Sequence, residues 1–278
     1  MIIDAHQHLW TADYPWLQTP SLTRIRRDYT VDDLRAAIGA AGVDRTVLVE
    51  AGRCDAAETR LFLKIAQDTP EIAGVVGWAG LQDPDLAATI AGYRSGPGGH
   101  LLVGIRDQVQ AEPDDFLDRP GVRAGLATVA AAGLVNELVV RCTQLPSVAR
   151  AAAALPGSTF VLDHLGKPEI AAGAVRRWRE LIAPVAARPN VIAKLSGLVA
   201  EADWATWTPA DLKPYVDTAV DLFGTGRLMF GSDWPVLEVA ATYTEVKDAM
   251  TGLLGGVPAD VFGGTAIDTY HLEIMPPR

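Results

Sequence analysis

Eight short apolar runs, rich in β-branched residues, recur along this chain, and their alternation with helical patterning constrains the fold more than any other feature. The runs are MIIDAHQ (1–7), RTVLVEA (45–51), IAGVVGWAG (72–80), LLVGIRD (101–107), LVNELVVRC (134–142), TFVLDHL (159–165), NVIAKLS (190–196) and RLMFGSD (227–233). Their near-continuous hydrophobicity belongs to strands buried on both faces, as in parallel sheets, rather than to the half-polar strands of a sandwich. Between them lie Ala-, Leu- and Arg-rich helical patterns at 31–41, 56–68, 122–132, 147–154, 175–187, 211–223 and 242–254. Asp28 or Thr30 is placed to cap the first of these and Asp55 the second. Strand and helix alternating without a linker predict a (β/α)8 TIM barrel. A doubly wound open sheet is the runner-up, weakened because no Gly-rich phosphate loop follows the first strand. The chain, 278 residues long, has the length of one barrel, so a single domain over 1–278 is expected.

The net charge of −10 argues against nucleic acid or an anionic membrane surface as the main partner, and leaves a small-molecule substrate. No apolar run reaches the ~18 residues of a membrane span. No basic segment precedes Ile2, so no cleaved leader is expected. The two cysteines, Cys54 and Cys142, form neither a disulfide framework nor a CxxC pair, which fits a reducing, cytoplasmic setting. Helix faces rich in Ala and Leu suit a homo-oligomer interface as well as packing against a barrel, and both readings stay open.

Active sites of such barrels form at the C-terminal ends of the strands. Here those ends carry Asp4, His6 and His8; Glu50; Trp78; Arg106 and Asp107; Arg141; Asp163 and His164; Lys194 and Ser196; and Asp233 and Trp234. His6 and His8 are two residues apart, so on a strand their side chains share a side, about 7 Å apart along the chain. That spacing lets two imidazoles approach one metal ion or one substrate group. Each residue alone also has an ordinary reading: polar strand ends for His6 and His8, a satisfied buried histidine for His164, a turn cap before Pro235 for Asp233. Four such groups ending strands one, six and eight favour a site.

The segments DAHQHLW, VLDHLGKP, KLSGLVAEADW and MFGSDWPV together resemble the amidohydrolase superfamily, and within it the lactonase-like branch of sugar-lactone and dicarboxylate-lactone hydrolases. The resemblance implies a (β/α)8 barrel and hydrolysis of a lactone ester. It implies that Asp233 is the catalytic carboxylate that activates water, with His6, His8 and His164 serving the same site. Binuclear members of the superfamily carry a metal ligand on strand five, where this chain has Arg141. A guanidinium cannot ligate, so a second metal is not expected. A single Zn2+ on His6, His8, His164 and Asp233 fits in ligand type and number, and a metal-free mechanism stands beside it. GIRD at 104–107 departs from the GIRH usual in close relatives, so Asp107 leaves the substrate and the proton relay open.

Arg106, Arg141 and Lys194 as a set point to a pocket for negative charge or many hydroxyls, although each alone is equally an ion-pair partner for Glu50, Asp107 or Asp163. Lys194, inside KLSG, is the strongest of the three. Trp10, Trp16, Trp78, Trp204 and Trp234 are placed to rim the mouth, where flat rings suit the C–H faces of a sugar. The segment 11–30 reads as a substrate-covering loop, with Tyr14, Trp16 and Arg24 as contacts. Two other functions remain in view: metal-dependent non-oxidative decarboxylation of a small carboxylic acid, and a non-catalytic binding barrel.

Overall fold

The computed structural model describes residues 1–273. Eight parallel strands run in sequential order: β1 Ile3–Gln7, β2 Arg45–Val49, β3 Ile72–Gly77, β4 Leu102–Asp107, β5 Val135–Leu138, β6 Phe160–Leu162, β7 Val191–Leu195 and β8 Leu228–Phe230. Each pairs with the next, and the loop after β8 returns to β1: Asp233 N donates to His6 O at 2.8 Å and His8 N to Trp234 O at 2.7 Å. The sequential order excludes the doubly wound alternative, whose strand order reverses at a switch point.

Helices fill the gaps: α1 Val31–Ala41, α2 Ala56–Gln67, α3 Leu86–Arg94, α4 Pro120–Ala131, α5 Leu145–Ala154, α6 Val175–Ala186, α7 Pro209–Phe223, α8 Tyr243–Leu253 and α9 Thr265–Tyr270. Thr30 caps α1 in a reciprocal box with Asp33, and Asp55 caps α2 through the Glu58 N–H. The sequence patterns do not name α3 or α9. Both are short, and α3 sits between the Pro- and Gly-bearing stretches at 81–85 and 95–99. Among the described residues no helix is long and apolar enough to cross a membrane.

Side chains alternate between two buried layers. Val47 and Val49 of β2 join a small cluster with Ile3, Val76, Val135, Val161 and Met229, whereas Leu48 packs in the large cluster that includes the helices. That alternation marks the small cluster as the barrel interior. Two residues further along the same face, the interior turns charged: Glu137 follows Val135, Asp163 follows Val161, and Lys194 follows Ile192. Six of the eight strands, all but β1 and β4, end earlier than the apolar runs, and residues beyond the strands turn over to build the site.

Candidate active site

The site rests on a buried charged floor. Lys194 Nζ donates to Glu137 Oε1 at 2.7 Å and lies 3.2 Å from Asp163 Oδ1. Tyr270 of α9 donates its hydroxyl to the other oxygen of Glu137. Arg106 Nε donates to Glu50 Oε1 at 2.6 Å and Nη1 to Asp163 Oδ2 at 2.9 Å. Gln108 adds a second side-chain donor to the Glu50 carboxylate. Two cations and three carboxylates therefore compensate most of one another's charge away from water, as a buried ion network requires. Burial pushes the Asp163 carboxyl up, but Lys194, His6 and Arg106 outweigh it and hold it well below the usual range. Glu137, buried and facing Asp163, is pushed up to about 7.

Above the floor stand the imidazoles. His6 Nδ1 lies 3.2 Å from Asp163 Oδ1, and His8 Nδ1 lies 2.9 Å from the Val49 carbonyl oxygen. A carbonyl only accepts, so His8 Nδ1 carries a proton, whereas His6 Nδ1 stands between the accepting Asp163 carboxylate and the donating Lys194 ammonium, 3.2 Å away. The Nε2 atoms of the two rings are 3.1 Å apart. Arg106 Nη1 lies 3.3 Å from His6 Nε2, but its shorter bond goes to Asp163. Among the described residues Asp233 Oδ1 is buried with no hydrogen-bond partner, 3.4 Å from His8 Nε2, 3.7 Å from His6 Nε2 and 4.0 Å from His164 Nε2. His164 in turn shares its Nδ1 with Ser196 Oγ at 2.9 Å. Burial drives His6 well below the ordinary imidazole value and His164 down to about 4. Burial would raise Asp233, but His164, His8 and His6 reverse the effect and keep it below the usual carboxylate range.

This donor set fits a metal ion. Zn–N bonds of about 2.0–2.1 Å at a tetrahedral angle put two ligand nitrogens about 3.3 Å apart, close to the His6–His8 spacing. His6, His8 and Asp233 offer one ligand atom each within reach of a single ion, and the orphaned Oδ1 lacks any other partner. His164 stands farther from Oδ1 than two ligands of one tetrahedral zinc stand from each other.

Local backbone makes these positions. Asp233 adopts a left-handed φ of 61°, tolerable for aspartate, just beyond β8. Asp4 binds the Ser232 N–H at 2.8 Å and the Tyr243 hydroxyl at 2.6 Å, which staples that turn to β1 and α8. His164 lies in a left-handed turn, φ 52°, rather than in the strand expected over 159–165. Gly197 passes so close that a Cβ there would meet His164 Nδ1 at 2.5 Å.

A cavity of about 370 Å³ opens above, with Trp16, Arg106, Gln108, His164, Lys167 and Asp233 in its wall. His8 also lines it, whereas His6 is fully buried beneath. Of the other expected contacts, none faces it. Lys194 is 0% exposed, inside the floor. Arg141 is exposed and turns away, donating to the Glu112 carbonyl at 2.9 Å and to Asp114 Oδ1 at 3.0 Å. Trp204 is exposed and donates to the Ala200 carbonyl, and Trp234 is buried edge-on to Tyr29 with its N–H on Glu238. Arg24 is exposed, and Tyr14 is buried with its hydroxyl on Glu58. Asp107 caps backbone, accepting from Leu81 N at 3.0 Å and Gln108 N at 2.8 Å, so it sits outside the imidazole cluster. The cations packed against His6 are Lys194, 3.2 Å from Nδ1, and Arg106, 3.3 Å from Nε2, not Arg141.

Sequence reasoning passed over Glu137, Lys167, Gln108 and Tyr270. Glu137 alone carried a signal: an acid inside the apolar run LVNELVV needs a buried partner.

The description "Amidohydrolase" belongs to the family model that matches residues 3–272. An L-fucono-1,5-lactonase of Burkholderia multivorans is 39% identical, covering 97% of this chain and 96% of its own length. An L-fucono-1,5-lactonase of Burkholderia ambifaria is 35% identical over 98% and 96%. A crystal structure of a Burkholderia multivorans amidohydrolase with bound zinc superposes with a TM-score of 0.91, at 38% identity over 98% of this chain and 99% of that one. With the same barrel, the same span and this constellation at its mouth, the chain belongs to the amidohydrolase family.

Proposed function

We propose that this protein hydrolyses the ester bond of a sugar-acid lactone, with L-fucono-1,5-lactone as the first substrate to test, using one divalent metal ion. The observation that carries the reading is Asp233 Oδ1, buried and unpartnered beneath an open cavity and ringed by three imidazole nitrogens. The lactonase relatives, similar over nearly their whole length, support the choice of substrate.

Asp233 holds a water against the lactone carbonyl carbon and takes its proton as the C–O bond forms. Its carboxyl, kept below the usual range, is ionised and ready across neutral pH. Collapse of the tetrahedral intermediate breaks the ring C–O bond, and the proton held by Asp233 passes to the departing alkoxide. The product is an open hydroxy acid, which releases its own proton to solvent. Arg106 lines the cavity with its donors committed to Glu50 and Asp163, so it contributes positive potential near the developing oxyanion rather than a free hydrogen bond. His6, His8 and Asp233 would hold the ion, with His164 alongside. When bound there, zinc supplies Lewis-acid polarisation of the carbonyl. The free thiols of Cys54 and Cys142 support a reducing compartment, the cytoplasm.

The test is proton release, followed with a pH indicator, from L-fucono-1,5-lactone and a panel of other aldonolactones. Turnover of at least one supports the reading; silence across the panel overturns it.

A further inference from the structure

Two segments that mark the lactonase-like resemblance, HLGKP and AEADW, meet beside the cavity through a pair of side chains that the hydrolytic chemistry leaves unused. Lys167 Nζ stands 3.9 Å from Glu201 Oε1, with both side chains 28% exposed. Lys167 lines the cavity with His164 and Asp233. Among the described residues neither Nζ nor the Glu201 carboxylate forms a hydrogen bond. The gap between them exceeds hydrogen-bond distance, so the pair leaves an open donor on the cavity wall and an open acceptor beside it.

The backbone is strained to hold Lys167 there. His164, Leu165, Gly166 and Lys167 are all left-handed, with φ of 52°, 51°, 70° and 53°. A non-glycine residue in that region is strained and persists where the surroundings impose it. The same turn that aims His164 at Asp233 aims Lys167 at the cavity. Glu201 arrives from the turn after β7, close enough to Asp233 to feel its charge.

We propose that Lys167 and Glu201 form a subsite that reads one hydroxyl of the substrate lactone. The ammonium donates to the hydroxyl oxygen and the carboxylate accepts its proton. An oxygen about 2.8 Å from each atom spans the gap at roughly a right angle, which suits one donor and one acceptor on a single oxygen. An ether or carbonyl oxygen answers only the lysine, and a C–H answers neither. The subsite therefore selects a polyhydroxylated ring over a bare lactone. This inference rests on the lactonase reading.

The experiment compares kcat/KM for an aldono-1,5-lactone and each of its monodeoxy analogues in the wild type, Lys167→Met, Glu201→Gln and the double variant. Lys167→Gly, which removes the side chain and relieves the left-handed strain, guards against a folding defect. A charge-assisted hydrogen bond predicts that the wild type disfavours one monodeoxy analogue by about 10–100-fold. All four variants should close that gap to a few-fold, and the double variant should be no worse than the poorer single one. Equal slowing of the parent and every analogue, or an unchanged gap in the variants, overturns the subsite and leaves the lactonase standing. A wild type that hydrolyses no lactone overturns both.

Discussion

His6 Nε2 and His8 Nε2 stand 3.1 Å apart, their rings held from behind by Asp163 and by the Val49 carbonyl. Two imidazole nitrogens at that distance are best held by positive charge between them. An ion shared with Asp233 Oδ1 provides it and satisfies the orphaned oxygen too. Metal analysis of purified protein should therefore find about one zinc per chain. His8→Ala should reduce it to trace and cost roughly 10²–10³ in turnover. Full zinc occupancy in His8→Ala would show that the ion is held elsewhere.

Asp233→Asn keeps the size of the side chain and removes the base. Turnover on the best lactone should fall about 10²–10⁴-fold, with KM within a few-fold because ring contacts lie in the cavity wall. Wild-type rates in this variant would move the base to another residue.

Lys194 and Arg141 look equivalent at strand ends but differ in consequence. Lys194→Met leaves Glu137 and Asp163 buried with only Arg106 to compensate, and should cost about 3–5 kcal/mol in denaturant unfolding. Arg141→Ala removes an exposed pair with Asp114 and should cost no more than about 1 kcal/mol. Similar losses in the two would contradict the buried floor.

Gly197 has a left-handed φ of 65° and no room for a Cβ against His164. Gly197→Ala should lower stability by about 1–3 kcal/mol and reduce activity by displacing the imidazole. Crystallography of the variant would show a shifted His164 ring; an unmoved ring with full activity would refute the contact.

The barrel and the chief imidazoles were legible because their signals are local. Doubly buried strands read as apolar runs, and the two-residue step from His6 to His8 fixes a common side. The register at strand ends was not, because it depends on where each chain turns. Strand five stops at Leu138, three residues before Arg141, so the interior charge is Glu137 and the arginine swings out to Asp114. Lys194 does point inward, but an inward charge can belong to the floor or to the wall, and only the Glu137 and Asp163 contacts decide. The turn from His164 to Lys167 has no sequence cue beyond Gly166, since its left-handed residues are held by packing from β7 and from Ser196 and Gly197 just beyond it.

Glu58 offers a pH test away from the imidazoles. Its Oε1 accepts from the Tyr14 hydroxyl at 2.7 Å and the Ala51 N–H at 3.2 Å, and Oε2 is buried without a partner among the described residues. Burial, reinforced by Glu50, pushes this carboxyl up from 4.5 to about 7. An acid whose folded pKa exceeds its unfolded one holds its proton more tightly when folded. Its contribution to stability is therefore full below about pH 4.5 and is lost as pH rises toward 7. Glu58→Gln cannot ionise and escapes that loss. Relative to wild type, the variant should gain about 1–3 kcal/mol in denaturant unfolding between pH 5 and pH 8. A difference between the two proteins that stays constant across that range would mean the Glu58 carboxyl is not raised by its surroundings.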